Sequence, residues 1–451
     1  MTNDLTVTQQ LAEHFSGTTF ERQPPQGLRE MKRLLIDYVG VALAGSQTAS
    51  GRIAGDFASR TGGIPEASVI GRPGRVPAVH AAFANAIAQH SLELDDIDEE
   101  ALFHYAPPVM SATLAVGQQV GASGRDVLNA ALGGCEMMAR LSRATNPELR
   151  NRGFHTTPAC GAFGAAVAAG RLLGLSAEQM TSAIGLAGAQ ASGLMEMYGT
   201  SMQKRFNPGP AARNGVTAAQ MASLGFTGAD TILEGERGFG RAFAGKLDVA
   251  PLTDGLGETV PVVVEYKPYS CARPIHNAID CALELRPKLH GRLDTIESIT
   301  VRRHPMWAHY HGISRPRTYH EAQMSLPYSV AVALVDGGAL PAQYTDPRVT
   351  GDAQLLDLAG RVVIEPDESL ARGVSCRMII TMRSGEVLES VVDYPLGSIQ
   401  NPMDDEALIR KSRELVTPLI GADRFAQFVS MALDLEHQPA LESLFDVIAV
   451  G

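Results

Sequence analysis

Between Gly27 and Gly45 the apolar residues Leu28, Met31, Leu34, Leu35, Tyr38 and Val41 recur every three or four positions. That is the period of an amphipathic helix. A helical pattern continues to about residue 260. Ser123-x-x-Asp126, Ser176-x-x-Gln179 and Thr227-x-x-Asp230 each precede an apolar run, which predicts three capped helix starts. Gly161–Ala169 and Ala183–Gly193 are almost all small residues. Small residues let helix axes approach closely, so these stretches are expected at the centre of the core.

The period changes after Tyr266. Glu297–Arg303, Arg361–Glu365 and Arg377–Arg383 alternate like strands, and Val387–Val392 follows the last across Ser384-Gly385, which predicts a β-hairpin. Helices are expected at Pro274–Leu289 and Ser325–Asp336, and helical pattern returns at Asp404–Val416. The reading is a mainly α protein: a large helical domain over 1–265 and 398–451, with a smaller α/β lid domain over 266–397 inserted into it.

Composition narrows the function. A chain of 451 residues is too long for one ordinary core. A net charge of −11 argues against non-specific nucleic-acid binding, yet leaves room for a cationic pocket that takes a small acid. The five cysteines are scattered and odd in number, as expected of reduced thiols in the cytoplasm. The amino terminus lacks a basic region followed by an apolar one, and no apolar run reaches spanning length uninterrupted, so neither a signal peptide nor a membrane helix is expected.

Lys204 and Arg205 stand side by side in a run of small and apolar residues, just before the turn signal Asn207-Pro208-Gly209-Pro210. A buried charge without a partner is costly, so this pair calls for an anion. The anion is either a ligand or a distant Asp or Glu, and the segment alone does not favour one. Glu93–Glu100 holds six carboxylates, with His104 four residues on. Asp98, Glu99 and Glu100 are explained by a solvated helix start. Glu93, Asp95, Asp96 and His104 point instead to metal binding or to proton chemistry with His104 as base or acid. Asp95-Asp96-x-x-Glu99 is loosely similar to the aspartate-rich motif of magnesium-dependent prenyl synthases, but no second such motif follows. His155, Thr156 and Thr157 precede a helix start, where free N–H groups and hydroxyls suit a carboxylate, though a packed N-cap explains them as well. Lys267 and Arg273 add charge at the proposed domain junction, a favoured place for a small-molecule site. Cys271 and His276 are expected to be packing residues. The histidines at 304, 309, 311 and 320 lack an accompanying ligand pattern, so no metal is assigned to them.

Taken in order, these segments resemble the MmgE/PrpD family along nearly the whole chain. The resemblance rests on Leu34–Gly45, His90–Asp96 with His104, Gly153-Phe154-His155, Lys204 with Pro208-Gly209-x-Ala211-Ala212, Tyr266–Tyr269, Ser325–Tyr328 and Asn401-Pro402-Met403. It implies a homodimer without metal or organic cofactor, with its active site between the two domains. It implies a lyase acting on a small di- or tricarboxylate by proton abstraction beside a carboxylate, most directly a dehydratase of the 2-methylcitrate type. Epimerisation of iminodisuccinate and decarboxylation of cis-aconitate are the alternatives within the family; a prenyl-synthase-like enzyme and a non-catalytic carboxylate binder are those outside it. Carried onto this sequence, the catalytic set is His104, His155, Glu93, Asp96 and Tyr328. Lys204, Arg205, Lys267, Arg273 and Thr156 are assigned to the substrate. The decarboxylase-like members have Asp where Glu93 stands, Thr where Ile97 stands and His where Ala272 stands.

Overall fold

The computed structural model describes residues 5–197, 201–371 and 375–450. The first four residues of the amino terminus, and Gly199 and Thr200 ahead of the cationic pair, lie outside the described residues. The fold is mainly α with one small α/β unit.

The first periodic stretch forms the helix Pro25–Ser46, opened by proline at its first position and buried from Leu34 to Leu43. Ser123 and Ser176 cap the helices Gly124–Thr145 and Ala177–Gly188 with reciprocal capping boxes. Thr227 heads no helix. Glu234 is drawn instead to the helix Val7–Gly17, where its Oε2 accepts from Thr8 Oγ1 at 2.7 Å. Gly228 lies so close to the Ser182 carbonyl that a Cβ would sit 2.4 Å from it.

The small-residue stretch becomes the helix Thr156–Leu172, buried from Thr156 to Gly170. It packs against Gly124–Thr145, Ala106–Val120 and Pro208–Ser223. A Cβ on Gly215 would lie 2.4 Å from that of Ala165, so the close approach depends on glycine there.

The α/β unit has its own apolar core, reaching from Tyr269 to Val392. Its sheet runs Val362–Pro366, Ile296–Arg303, Cys376–Met382, Val387–Val392 in spatial order. The first pair is parallel and the others antiparallel, with Ile299 opposite both Val362 and Ile380. Packed against this sheet are the helices His276–Leu289 and Leu326–Asp336.

After the sheet the chain returns to the helical body. The helix Asp405–Ile420 lies on Pro25–Ser46, and its buried Lys411 donates to Asp37 Oδ1 at 2.6 Å and to the Leu94 carbonyl at 2.8 Å. The outgoing and returning strands touch where they cross: Tyr266 N–H donates to the Gly397 carbonyl at 3.2 Å. Gly397 has φ +87°, and a Cβ there would lie 1.9 Å from the Tyr266 oxygen, so only glycine fits. Glu265 ties the acidic segment to this crossing. It exchanges backbone hydrogen bonds with Ile97 at 2.8 and 2.9 Å, and its carboxylate accepts from the N–H groups of Glu99 and Ile399, both at 3.1 Å. Among the described residues no helix is long and apolar enough to cross a membrane.

Candidate active site

A cavity of about 370 Å³ opens between the helical body and the α/β unit. The body contributes Glu93, His104, Arg150, His155 and Lys204; the other side contributes Lys267, Arg273, Trp307 and His311. A larger hollow, about 570 Å³, lies behind the crossing strands. It holds neither lysine nor histidine, and its Glu30 is already engaged by Tyr266 and Arg33, so the chemistry belongs to the smaller cavity.

Glu93 is the anion that the adjacent cations demand. The turn His90–Leu92 delivers it in a left-handed backbone conformation, φ +52°, which a residue with a side chain adopts only where its surroundings hold it there. One carboxylate oxygen accepts from both Lys204 and Arg205, and the other lies 3.7 Å from Lys267 Nζ. Burial alone would raise the Glu93 pKa, but the three cations hold it well below the usual range. The distant acid and the ligand site are therefore one cluster. Arg205 is buried behind it, bonded to Glu93 and to Gln323 Oε1 at 2.9 Å, and does not line the cavity. It supports the site rather than facing a ligand. Lys204 does face the cavity, and burial, resisted by Glu93, brings its pKa down to about 8.

Asp95, not Asp96, meets the imidazoles. Its Oδ2 lies 2.6 Å from His90 Nδ1 and 3.2 Å from His104 Nδ1, and its Oδ1 lies 3.3 Å from Lys267 Nζ. Asp96 turns away and accepts from the N–H groups of Tyr105 and Ala106 at 2.7 and 3.0 Å, so it caps the helix Ala106–Val120. Burial, with Asp95 nearby, pushes it up to about 8. The sequence places consecutive aspartates on opposite sides of the chain, and the helix start claims the second. Asp98 is no solvated acid either: it is buried and accepts from Tyr105 Oη at 2.8 Å and Arg143 at 3.0 Å.

The tautomers follow from the partners. His104 Nδ1 faces Asp95 and the Asp96 carbonyl, both acceptors, so the proton is assigned to Nδ1 and the lone pair to Nε2. Thr157 Oγ1 fixes the same residue by accepting from its N–H at 3.1 Å. His155 precedes the helix Thr156–Leu172, and Asn207 Nδ2 donates to its Nδ1 at 3.1 Å, which assigns the proton to Nε2. Neither Nε2 has a partner among the described residues, and both side chains line the cavity. Burial lowers His104 to about 3 and holds His155 well below the usual value, so both rings are neutral at pH 7. The ring of His90 lies 5.0 Å from that of His104, wholly buried, with Nε2 unpartnered.

Of three further expected residues, two stand off the cavity and the third is on its wall with its charge already engaged. Tyr328 is buried in the core of the α/β unit and donates to the Gln343 carbonyl at 2.8 Å, off the cavity wall. Its helix turns the ring toward Tyr344, 5.8 Å away. Thr156 is buried with an unpartnered hydroxyl outside the cavity lining, and Thr157 takes the supporting part. Arg273 does line the cavity, but Glu99, His276, Glu265 and the Leu396 carbonyl surround its guanidinium.

Sequence reasoning also missed residues. Asn207 lay in plain view in the turn signal after Lys204. Arg150 and Trp307 carried no local signal, and His311 was weighed only as a metal ligand. Among the described residues His90, Asp95 and His104 bring one donor atom each within 4.8 Å of one another, near enough for a metal ion. The Lys267 ammonium already supplies positive charge at that aspartate.

What the arrangement can do is clear from its parts. Lysines flank a neutral imidazole whose lone pair faces the same enclosed space, so a carboxylate can be held while a proton is taken from the carbon beside it.

The family model described as the MmgE/PrpD N-terminal domain matches residues 9–251, and the MmgE/PrpD C-terminal domain matches residues 269–437. Cis-aconitate decarboxylase of Aspergillus terreus is 27% identical over 98% of this chain and 96% of its own length. Cis-aconitate decarboxylase-like protein oryM of Aspergillus oryzae is 29% identical over 94% of each chain. The cis-aconitate decarboxylase of Homo sapiens is 26% identical over 95% of this chain and 92% of its own.

Proposed function

The chain belongs to the MmgE/PrpD family and is a lyase, and from that premise we propose that it dehydrates a small tricarboxylate of the 2-methylcitrate type. The observation that carries this reading is the contact of His104 Nδ1 with two acceptors, Asp95 and the Asp96 carbonyl, which assigns the proton there and leaves the Nε2 lone pair for the cavity that holds Lys204 and Lys267.

A carbon beside a carboxylate is a very weak acid, and its carbanion needs positive charge close by. Lys204 and Lys267 supply it in a space partly closed to water, where each charge acts more strongly than in bulk solvent. His104 Nε2 takes the proton, and Asp95 stabilises the imidazolium that results. The C–O bond to the β-hydroxyl breaks as the C=C bond forms. The hydroxyl leaves against the Nε2–H of His155, and the His104 imidazolium returns its proton to it. One water departs and both histidines end neutral. An anionic substrate also raises the His104 pKa from about 3 toward the range in which a base works best.

Dehydration is supported over decarboxylation by the wall of the cavity. Ile97 and Ala272 line it where the decarboxylase-like members have Thr and His. Decarboxylation of cis-aconitate is the second reading, favoured by the names of the relatives. Pairing of two chains belongs to the same proposal. The exposed apolar hollow of Ile53, Phe57, Met202 and Phe206, next to Lys204, supports it, and sedimentation at micromolar concentration tests it.

A panel of 2-methylcitrate, citrate, cis-aconitate and iminodisuccinate, with chelator present and read by ultraviolet absorbance and proton NMR, tests the function. Alkene formation with loss of water is expected. Release of carbon dioxide from cis-aconitate establishes the second reading, and consumption of none of the four defeats both.

A further inference from the structure

The cations around the reacting centre are already paired: Lys204 and Arg205 with Glu93, Lys267 with Asp95, Arg273 with Glu99. Arg150 differs. It lines the same cavity from the short turn Glu148–Asn151, which follows the helix Gly124–Thr145. Among the described residues only its backbone is hydrogen-bonded: its N–H donates to Asn146 Oδ1 at 3.3 Å, and its carbonyl accepts from Gly153 N–H at 3.0 Å. The guanidinium has no hydrogen-bond or ion-pair partner among the described residues, although the residue is half-buried. Four cations and two carboxylates line this cavity, and its histidines are neutral, so the charge surplus matches an incoming polyanion.

We propose that Arg150 grips a substrate carboxylate remote from the reacting carbon and thereby selects tricarboxylates over dicarboxylates. A planar guanidinium binds a carboxylate through two parallel N–H bonds, which fixes orientation as well as charge. The α/β unit offers a further donor to the same ligand, because the Trp307 Nε1–H is buried without a partner at the cavity wall. The proposal rests on the carboxylate-lyase reading and deepens it. It makes Arg150 a specificity-determining residue, outside the proton-transfer set.

Calorimetry on the full chain tests it with two inert probes. Tricarballylate carries three carboxylates; methylsuccinate is the same skeleton without one terminal carboxylate. The wild type should bind tricarballylate about ten- to hundredfold more tightly, as expected of one charge-assisted bidentate contact. Arg150→Met should abolish that preference while binding methylsuccinate as the wild type does. Arg150→Lys should restore part of it, since a point charge remains without the fork. Neither change removes a side-chain hydrogen bond or ion pair among the described residues, so both variants should melt close to the wild type. A wild type with no preference, an Arg150→Met that keeps it, or equal loss for both probes overturns the proposal. Turnover of His104→Ala judges the lyase reading separately: full activity there defeats proton abstraction by His104 and leaves the calorimetric result on Arg150 untouched.

Discussion

Replacing Asp95 with asparagine keeps the shape of the side chain and removes one negative charge from the centre of the site. The carboxylate lies 3.2 Å from His104 Nδ1, and both groups are buried. At an effective dielectric constant of about 20, two unit charges at that distance attract by about 5 kcal/mol. Asparagine recovers part of this, because its carbonyl still accepts from Nδ1–H and the freed Lys267 shifts toward Glu93. A net loss of about 3–4 kcal/mol in the transition state corresponds to a fall in kcat of about 10²- to 10³-fold. The loss exceeds this range if the amide N–H₂ faces His104, because the ring then moves its proton to Nε2 and the base disappears. Lys204 and Lys267 keep their charge, so KM should change by less than about threefold, the mark of an interaction made in the transition state only. Steady-state kinetics at pH 7.5 on the substrate found by the panel, with tricarballylate affinity as the control for an intact site, read the effect. A kcat within about fivefold of wild type, less than one kcal/mol of barrier, would show that the Asp95–His104 contact is structural and that the base is placed by something else.

Glu93→Gln leaves Lys204 and the buried Arg205 without their anion, while Lys267 keeps Asp95, and should cost about 3–5 kcal/mol of stability in a thermal melt. Added citrate should raise the Tm of that variant more than that of the wild type; an equal rise would show that ligand and Glu93 do not share these cations. The pH profile of kcat/KM should be level from about pH 5 to 7.5 and fall as Lys204 loses its proton near 8, because a cation that holds a carboxylate fails as pH rises through its pKa. An acid limb centred near the ordinary histidine value, about 6.5, would contradict the buried neutral base. Tyr328→Phe should lose about 1 kcal/mol of stability with its bond to the Gln343 carbonyl and keep kcat within about twofold. A large fall in kcat would return the tyrosine to the reaction.

Periodicity carried the elements well wherever packing agreed with local preference. Pro25–Ser46, the capped helices at Gly124 and Ala177, and the hairpin across Ser384-Gly385 stand within a residue or two of their expected places. Thr227 failed because Glu234 and Gly228 answer to partners distant in the chain. The same limit governed the site. Lys204, His104, His155 and Lys267 were legible because each stands in a segment whose composition makes its charge or ring conspicuous. The choice between Asp95 and Asp96 was not legible, since it depends on which carboxylate the Ala106 helix start takes. Arg150 and Trp307 reach the cavity from elements with no chemical signature, and only the fold brings them there.

The central claim is that His104 Nε2 removes a proton from a carbon held by Lys204 and Lys267. Proton NMR in heavy water, on the accepted substrate with wild type and His104→Ala side by side, tests it most directly. The wild type should convert the substrate and wash deuterium into the position beside the carboxylate in recovered starting material, and His104→Ala should do neither while still binding tricarballylate. Deuterium uptake at the wild-type rate in His104→Ala would contradict the account.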